Sequence, residues 1–121
     1  RYVAHTAFTL DAERMGRAAT LFEGEHDFEG FTKLNHGRES TVRRVDKCTV
    51  SETEDGQINI DVSGTGFLWN MVRIIAGTLL EVGRGKFEPE EIATIIDSKD
   101  RKRAGKTLPA HGLFLEWVSF D

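Results

Sequence analysis

The apolar run at residues 64–85, GTGFLWNMVRIIAGTLLEVGRG, constrains this chain's fold more than any other stretch. Its residue pattern predicts a helix over about residues 67–82, terminated by Gly83 and Gly85. A helix advances about 100° per residue. That places Trp69, Asn70, Ala76, Gly77 and Leu80 beside Arg73, with Leu68, Met71, Ile75 and Val82 on the opposite side. Both sides are largely apolar, so the helix needs cover all round. Arg73 interrupts the only run that approaches membrane-spanning length, so no membrane span is expected. The helix must instead be sandwiched in a core, and the chain has to supply the layers.

Those layers can be read on both sides. Ile58, Ile60 and Val62 alternate with Asn59, Asp61 and Ser63, which marks a strand with one buried face. Asp55-Gly56 is a hairpin turn signal, and residues 41–53 read as an alternating partner strand, with Val42, Val45 and Val50 apolar and charges between them. Upstream, Asp11 caps a helix whose Met15, Ala18, Ala19 and Phe22 recur at helical spacing, and Gly24 ends it. Residues 25–37 read as a loop anchored by Phe28 and Phe31, and residues 2–10 as an extended lead-in. Downstream, a helix begins near Pro89 with Ile92, Ile95 and Ile96 as its apolar positions. Residues 98–107 form a basic, irregular connection, and Gly112 opens a last strand carrying Leu113, Phe114, Leu115, Trp117, Val118 and Phe120. The order helix, strand, strand, helix, helix, strand predicts an α+β fold, an antiparallel sheet with helices packed on one face. The 121 residues, 39% of them hydrophobic, suit a single domain with one core.

Charge narrows the function. The net charge of −4 argues mildly against a nucleic-acid partner. Two basic clusters argue the other way locally: Lys99, Arg101, Lys102, Arg103 and Lys106, and Arg38, Arg43 and Arg44. Such runs are either solvated faces or phosphate contacts. The single cysteine, Cys48, excludes an internal disulfide, fits a reducing compartment and reads as buried packing in a strand. His5, His26, His36 and His111 show no metal-ligand spacing, so no metal is expected. Arg1-Tyr2-Val3 shows neither a signal pattern nor an initiator methionine, so a fragment or processed product is expected.

Arg73 poses the chemical question. A guanidinium cannot shed its charge, so a buried one needs a carboxylate, phosphate or carbonyl partner, or a path along which to snorkel to water. The neighbouring Ala76 and Gly77 are small enough to admit another backbone or a ligand at close range. The arginine is therefore either one half of a structural ion pair or a group held rigidly in a cleft for a catalytic carboxylate or a phosphate.

The wording of the motif is more specific. Residues 64–85 resemble the helix signature of the tRNA pseudouridine synthase A family, G-x-x-F-L-x-x-M-V-R-x-I-x-G-T-L-x-x-V-G-x-G. Three more stretches agree in the same order. Gly24-Glu25-His26-Asp27-Phe28 matches G-x-H-D-F. Lys99-Asp100-Arg101 with Ala104-Gly105 and Thr107 matches K-D-R-x-x-A-G-x-T. Pro109-Ala110-His111-Gly112-Leu113-Phe114-Leu115 matches P-A-x-G-L-x-L. Together they reach across nearly the whole chain. One departure is Ile74, where many members carry asparagine.

The resemblance implies that residues 1–121 are one domain, the carboxy-terminal half of a catalytic unit that isomerises uridine to pseudouridine in tRNA, in the anticodon arm, without a cofactor. The family's catalytic aspartate stands in an R-T-D-x-G-V-H-like motif of the amino-terminal half. None of Asp11, Asp27, Asp46, Asp55, Asp61, Asp97, Asp100 and Asp121 lies in that context, and Tyr2, the one tyrosine, matches no motif. This chain alone is then expected to be inactive. By resemblance Arg73 pairs with that aspartate and Leu113 packs on the target base, with Gly112 beside it. Asn70 either donates into the cleft or is a surface amide. Lys99, Arg101, Arg103, Lys106, Arg43 and Arg44 are the candidate RNA contacts, with Arg101 also a candidate for a structural pair with Asp97 or Asp100. The implied partners are tRNA, the amino-terminal half and a second copy, in the cytoplasm, or in a nucleus or organelle for a eukaryote. The alternative is a truncated, non-catalytic homologue that binds RNA or protein.

Overall fold

The computed structural model describes residues 2–4, 10–32, 40–54, 56–108 and 115–117. In chain order its elements are strand β1 (Tyr2–Ala4), helix α1 (Ala12–Thr20), strand β2 (Gly24–Asp27), strand β3 (Val42–Glu52), strand β4 (Ile58–Gly64), helix α2 (Met71–Gly83), helix α3 (Glu91–Ser98) and strand β5 (Leu115–Trp117). Short 3₁₀ turns occupy Glu29–Phe31 and Arg101–Arg103. The strands form one five-stranded sheet in the order β2-β3-β4-β1-β5, with every pairing antiparallel. This is the expected α+β class.

Local chemistry explains the helices. The Asp11 carboxylate accepts from the Arg14 backbone N–H at 3.1 Å, and Met15, Ala18 and Ala19 turn into the core. Helix α3 buries Ile92, Ile95 and Ile96 as its spacing predicts. Phe28 and Phe31 anchor the segment after β2, both fully buried, with Phe31 edge-on to Phe22 and to Phe28. Helix α2 buries Met71, Ile74, Ile75, Ala76, Leu79 and Val82. No helix among the described residues is long and apolar enough to cross a membrane.

Three expectations need correction. Residues 24–27 are strand β2 and not the start of a loop; Gly24 pairs with Val45 and His26 with Arg43. GEHD has no strand periodicity of its own, and the neighbouring β3 ladder supplies it. Strand β3 does not alternate through Val42, Val45 and Val50: Val42 is exposed, while Val45 and Cys48 are buried. An odd spacing cannot share one face of a regular strand. The register slips between Val45 and Lys47, and this bulge turns Cys48 onto the face that Val45 occupies. Helix α2 starts at Met71 and not near residue 67, because Asn70 is left-handed at φ 64°. The expected final strand is described only as β5; its other residues, with Gly112 and Leu113, lie outside the described residues.

Candidate active-site surface around Arg73

Two loops and one helix build the surroundings of Arg73. The first loop is the turn that enters α2. Its Met71 N–H donates to the Leu68 carbonyl at 3.0 Å, and the positive φ of Asn70 suits the third position of a tight turn, which asparagine tolerates. Three side chains fix it. Thr32 Oγ1 donates to the Trp69 carbonyl at 2.8 Å, Arg43 Nε donates to the Gly66 carbonyl at 2.7 Å, and Arg73 Nη1 donates to Asn70 Oδ1 at 2.9 Å. Asn70 is thus an acceptor for the arginine, set at the helix entrance and not on the helix surface.

The second loop is a strap, residues 104–108, laid across α2. Gly77 permits it: a β-carbon there would stand 1.8 Å from the Lys106 carbonyl oxygen. The same holds in reverse at Gly105, whose β-carbon would stand 2.5 Å from the Thr78 nitrogen. Two glycines on opposing backbones make the crossing, and the close approach read from Ala76 and Gly77 is made by the chain's own strap. Thr78 Oγ1 accepts from the Gly105 N–H and donates to the Ile74 carbonyl, both at 2.8 Å. Arg101 closes the strap, with Nη1 to the Gly105 carbonyl at 2.8 Å and Nη2 to Thr107 Oγ1 at 2.9 Å. Burial holds the Arg101 pKa below its usual value. The strap accounts for this arginine better than the expected pair with Asp97 or Asp100.

The strap delivers a carbonyl to Arg73. Arg73 Nε donates to the Leu108 carbonyl at 2.5 Å, and the Leu108 N–H returns to the Arg73 carbonyl at 3.3 Å. Both acceptors of the guanidinium, Leu108 and Asn70, are neutral. Two of its five N–H groups are used, which leaves three without a partner among the described residues. The open ones lie on the two terminal nitrogens, the end-on fork that suits a carboxylate or phosphate. On the far side of the strap is a cavity of about 160 Å³ lined by Leu10, Gly77, Leu80, Glu81, Arg84, Lys106 and Leu108; Arg73 does not line it.

The basic candidates divide by environment. Arg103, just before the strap, and Lys106, within it, are exposed. Lys99 ends α3 in a left-handed conformation with its ammonium 3.5 Å from Asp27. Asp27, from the G-x-H-D-F stretch, also accepts from Thr41 Oγ1 and from the Glu29 N–H at 3.1 Å, and its pKa is lowered, first by Thr41. His26 Nε2 is bonded to the Glu23 carbonyl at 2.8 Å and so fixes the turn that leads into β2. Arg43 is partly exposed and Arg44 exposed, the latter 3.6 Å from Asp46. Cys48 is buried; desolvation, then the charges of Glu23 and Asp61, push its thiol pKa far up, as suits a packing residue. No three metal-ligating side chains gather among the described residues. Sequence reasoning overlooked Thr32, Thr78 and the Leu108 carbonyl. Thr78 stands in the quoted helix signature, whereas Thr32 and Leu108 act through contacts that no local pattern marks.

Comparison with known proteins gives a consistent result. The family model described as tRNA pseudouridine synthase matches residues 18–121. The tRNA pseudouridine synthase A of Pelobacter propionicus is 49% identical over 116 residues, 96% of this chain and 47% of that protein. That of Bacillus pumilus is 46% identical over 121 residues, 100% of this chain and 49% of that protein. The chain spans about half the length of the curated relatives it matches.

Proposed function

The chain belongs to the tRNA pseudouridine synthase family, and from that premise we propose that it is one part of an enzyme that isomerises uridine to pseudouridine in tRNA. In that reaction the N-glycosidic bond of the target uridine breaks, the base turns, and the sugar is rejoined to a ring carbon. The observation that carries the reading is the unfilled fork of Arg73, fixed from one side by Leu108 and Asn70. An aspartate supplied by the other part of the enzyme completes it. Paired there, the carboxylate is held bidentately and kept ionised, which suits it to act at the sugar or base. Because the helix, the entry turn and the strap all fix the arginine, little entropy is lost when the aspartate docks.

Leu113 and Gly112 take the target base on this reading, as the family resemblance implies. Lys99 and Arg103, which precede the strap, Lys106 within it, and Arg43 and Arg44 on β3 lie against phosphates of the anticodon arm. Arg101 contributes by holding the strap. Self-association goes with the reading, since a lone half leaves apolar cleft and sheet edge open; scattering that stays monomeric at high concentration would count against it. The place that goes with this reading is where tRNA is modified: the cytoplasm, or a nucleus or organelle in a eukaryote.

The test is to join this chain to the amino-terminal half of the Bacillus pumilus relative and measure pseudouridine in tRNA by nucleoside mass spectrometry. The fusion is expected to be active, the 121-residue chain alone inactive, and Arg73→Ala in the fusion inactive. A folded fusion that binds tRNA yet forms no pseudouridine would sink the enzymatic reading in favour of a binding module.

A further inference from the structure

Asparagine is among the best residues for capping a helix, because its oxygen can accept from a backbone N–H of the first turn. Acids in this chain do so elsewhere. Asp11 caps α1 on the Arg14 N–H at 3.1 Å, and Asp100 caps the following 3₁₀ turn on the Lys102 N–H at 2.9 Å; both have extended backbones. Asn70 holds the same position at α2, yet its side chain caps nothing. Its backbone is left-handed, φ 64° and ψ 3°, away from the extended geometry usual for a cap. The Asn70 oxygen accepts instead from Arg73 Nη1 at 2.9 Å, across a spacing of three residues at which helical side chains meet. The forgone cap and the left-handed backbone both disfavour the local fold. What the side chain makes in their place is one bond, to a guanidinium with no acid among the described residues.

The neutrality of this acceptor matters as much as its place. An acid at residue 70 would reach the same nitrogen and neutralise the fork before a second carboxylate arrived. An amide oxygen holds that nitrogen and leaves the charge in place. The Leu108 carbonyl does the same for Nε from the side of the strap. We infer that Asn70 is a positioning residue for the reaction: through a neutral oxygen it aims the Arg73 fork and keeps its charge for the incoming aspartate. The inference rests on the enzymatic reading. Because Asn70 acts through Arg73, it governs kcat and not the affinity for tRNA.

Two substitutions in the fusion enzyme test this. Asn70→Gly keeps the left-handed backbone, which glycine adopts freely, and removes only the acceptor. Its kcat is expected to fall about 10-fold or more, the scale of one hydrogen bond to a charged group, with KM for tRNA within about twofold of the parent. Asn70→Asp places a carboxylate at the helix start and on Arg73, so it should melt higher than the parent. Its kcat is expected to fall below that of Asn70→Gly, because the fork is already neutralised. An asparagine that only shapes the turn gives neither pattern. Parent-like kcat in Asn70→Gly, a raised KM without a fall in kcat, or parent-like activity in Asn70→Asp overturns the assignment. A readout independent of activity is nitrogen-15 NMR of the arginine side chains in the 121-residue chain, with Arg73 identified by Arg73→Lys. The terminal N–H signals of Arg73 are expected to be separate in the parent and averaged by rotation in Asn70→Gly; averaging in both overturns the anchoring. Should the unsubstituted fusion form no pseudouridine, the enzymatic reading fails by itself, and the NMR comparison upholds or overturns the hold of Asn70 on Arg73.

Discussion

The two ends of helix α2 each hold an arginine that leans on backbone carbonyls, and they differ in what is left over. At the carboxy-terminal end, Arg14 from α1 donates to the Val82 carbonyl at 3.4 Å and the Phe87 carbonyl at 2.9 Å, and its remaining terminal nitrogen meets Glu88 at 3.0 Å. Cation, helix end and carboxylate satisfy one another within the chain. At the amino-terminal end, Arg73 has its carbonyl and its amide oxygen but no acid among the described residues. A partner for every nitrogen, with a carboxylate among them, is the mark of a structural group. A rigid cation with donors to spare is the mark of a group that awaits a ligand, and it stands where a positive helix end already favours an anion.

Substitutions at the two ends should therefore separate stability from activity. The largest effect is expected from Arg73→Ala in the fusion enzyme: pseudouridine formation falls by about 10²–10³-fold or more, the scale of losing one charge-stabilising group, while the protein stays folded. Arg14→Ala should lower stability and spare activity. Losing charged hydrogen bonds to two carbonyls costs about 1–3 kcal/mol of stability in denaturant titration, with kcat nearly unchanged. An Arg73 variant that unfolds, or an Arg14 variant that is folded but inactive, would break the contrast.

A second pair of substitutions sharpens it. Gly77→Ala inserts a methyl into the Lys106 carbonyl and must lift the strap. It is expected to destabilise by about 1–3 kcal/mol, the usual range for overpacking, and to lower activity as well, because the strap carries Leu108. Gly16→Ala in α1 has open space within 4 Å and should stabilise by about 0.5–1 kcal/mol through helix propensity. Melting curves of the two variants should move in opposite directions. If Gly77→Ala melts higher, the crossing is looser than the structure shows.

The smallest expected effect is pH dependence at Asp27. Its carboxyl pKa is lowered from 3.8 by the Thr41 hydroxyl, the Glu29 N–H and Lys99. A lowered acid pKa contributes stability that is present above the ordinary value and lost as pH falls through the lowered one. Melting temperatures followed from about pH 5 downward should decline less steeply in Asp27→Asn than in the parent. Equal slopes would show that these contacts persist when the acid is protonated.

Much of this was legible in the sequence, and the residues show why. Helical spacing predicted the faces of α1 and α3, because amphipathic helices write their packing into one turn of chain. Gly77 beside Arg73 announced a close approach. What made the approach, the Lys106 carbonyl, was not legible, since it depends on how a distant loop returns over the helix. The start of α2 was misread because Asn70 is an ordinary helix residue by composition, and only its left-handed backbone shows the break. Strand β2 and the β3 bulge were missed for a related reason: both are set by a neighbouring strand and leave no period in their own residues.

The sequence by itself determined the class of fold, the buried helix with one cation in it, and the motif set that marks the family. Those follow from local period, side-chain polarity and residue identity, which need no partner. Only the tertiary structure decided what Arg73 touches. The glycine crossing, the Arg101 closure and the Asn70 turn bring two neutral acceptors to a permanent charge and leave its fork open, an outcome fixed by the meeting of segments far apart in the chain.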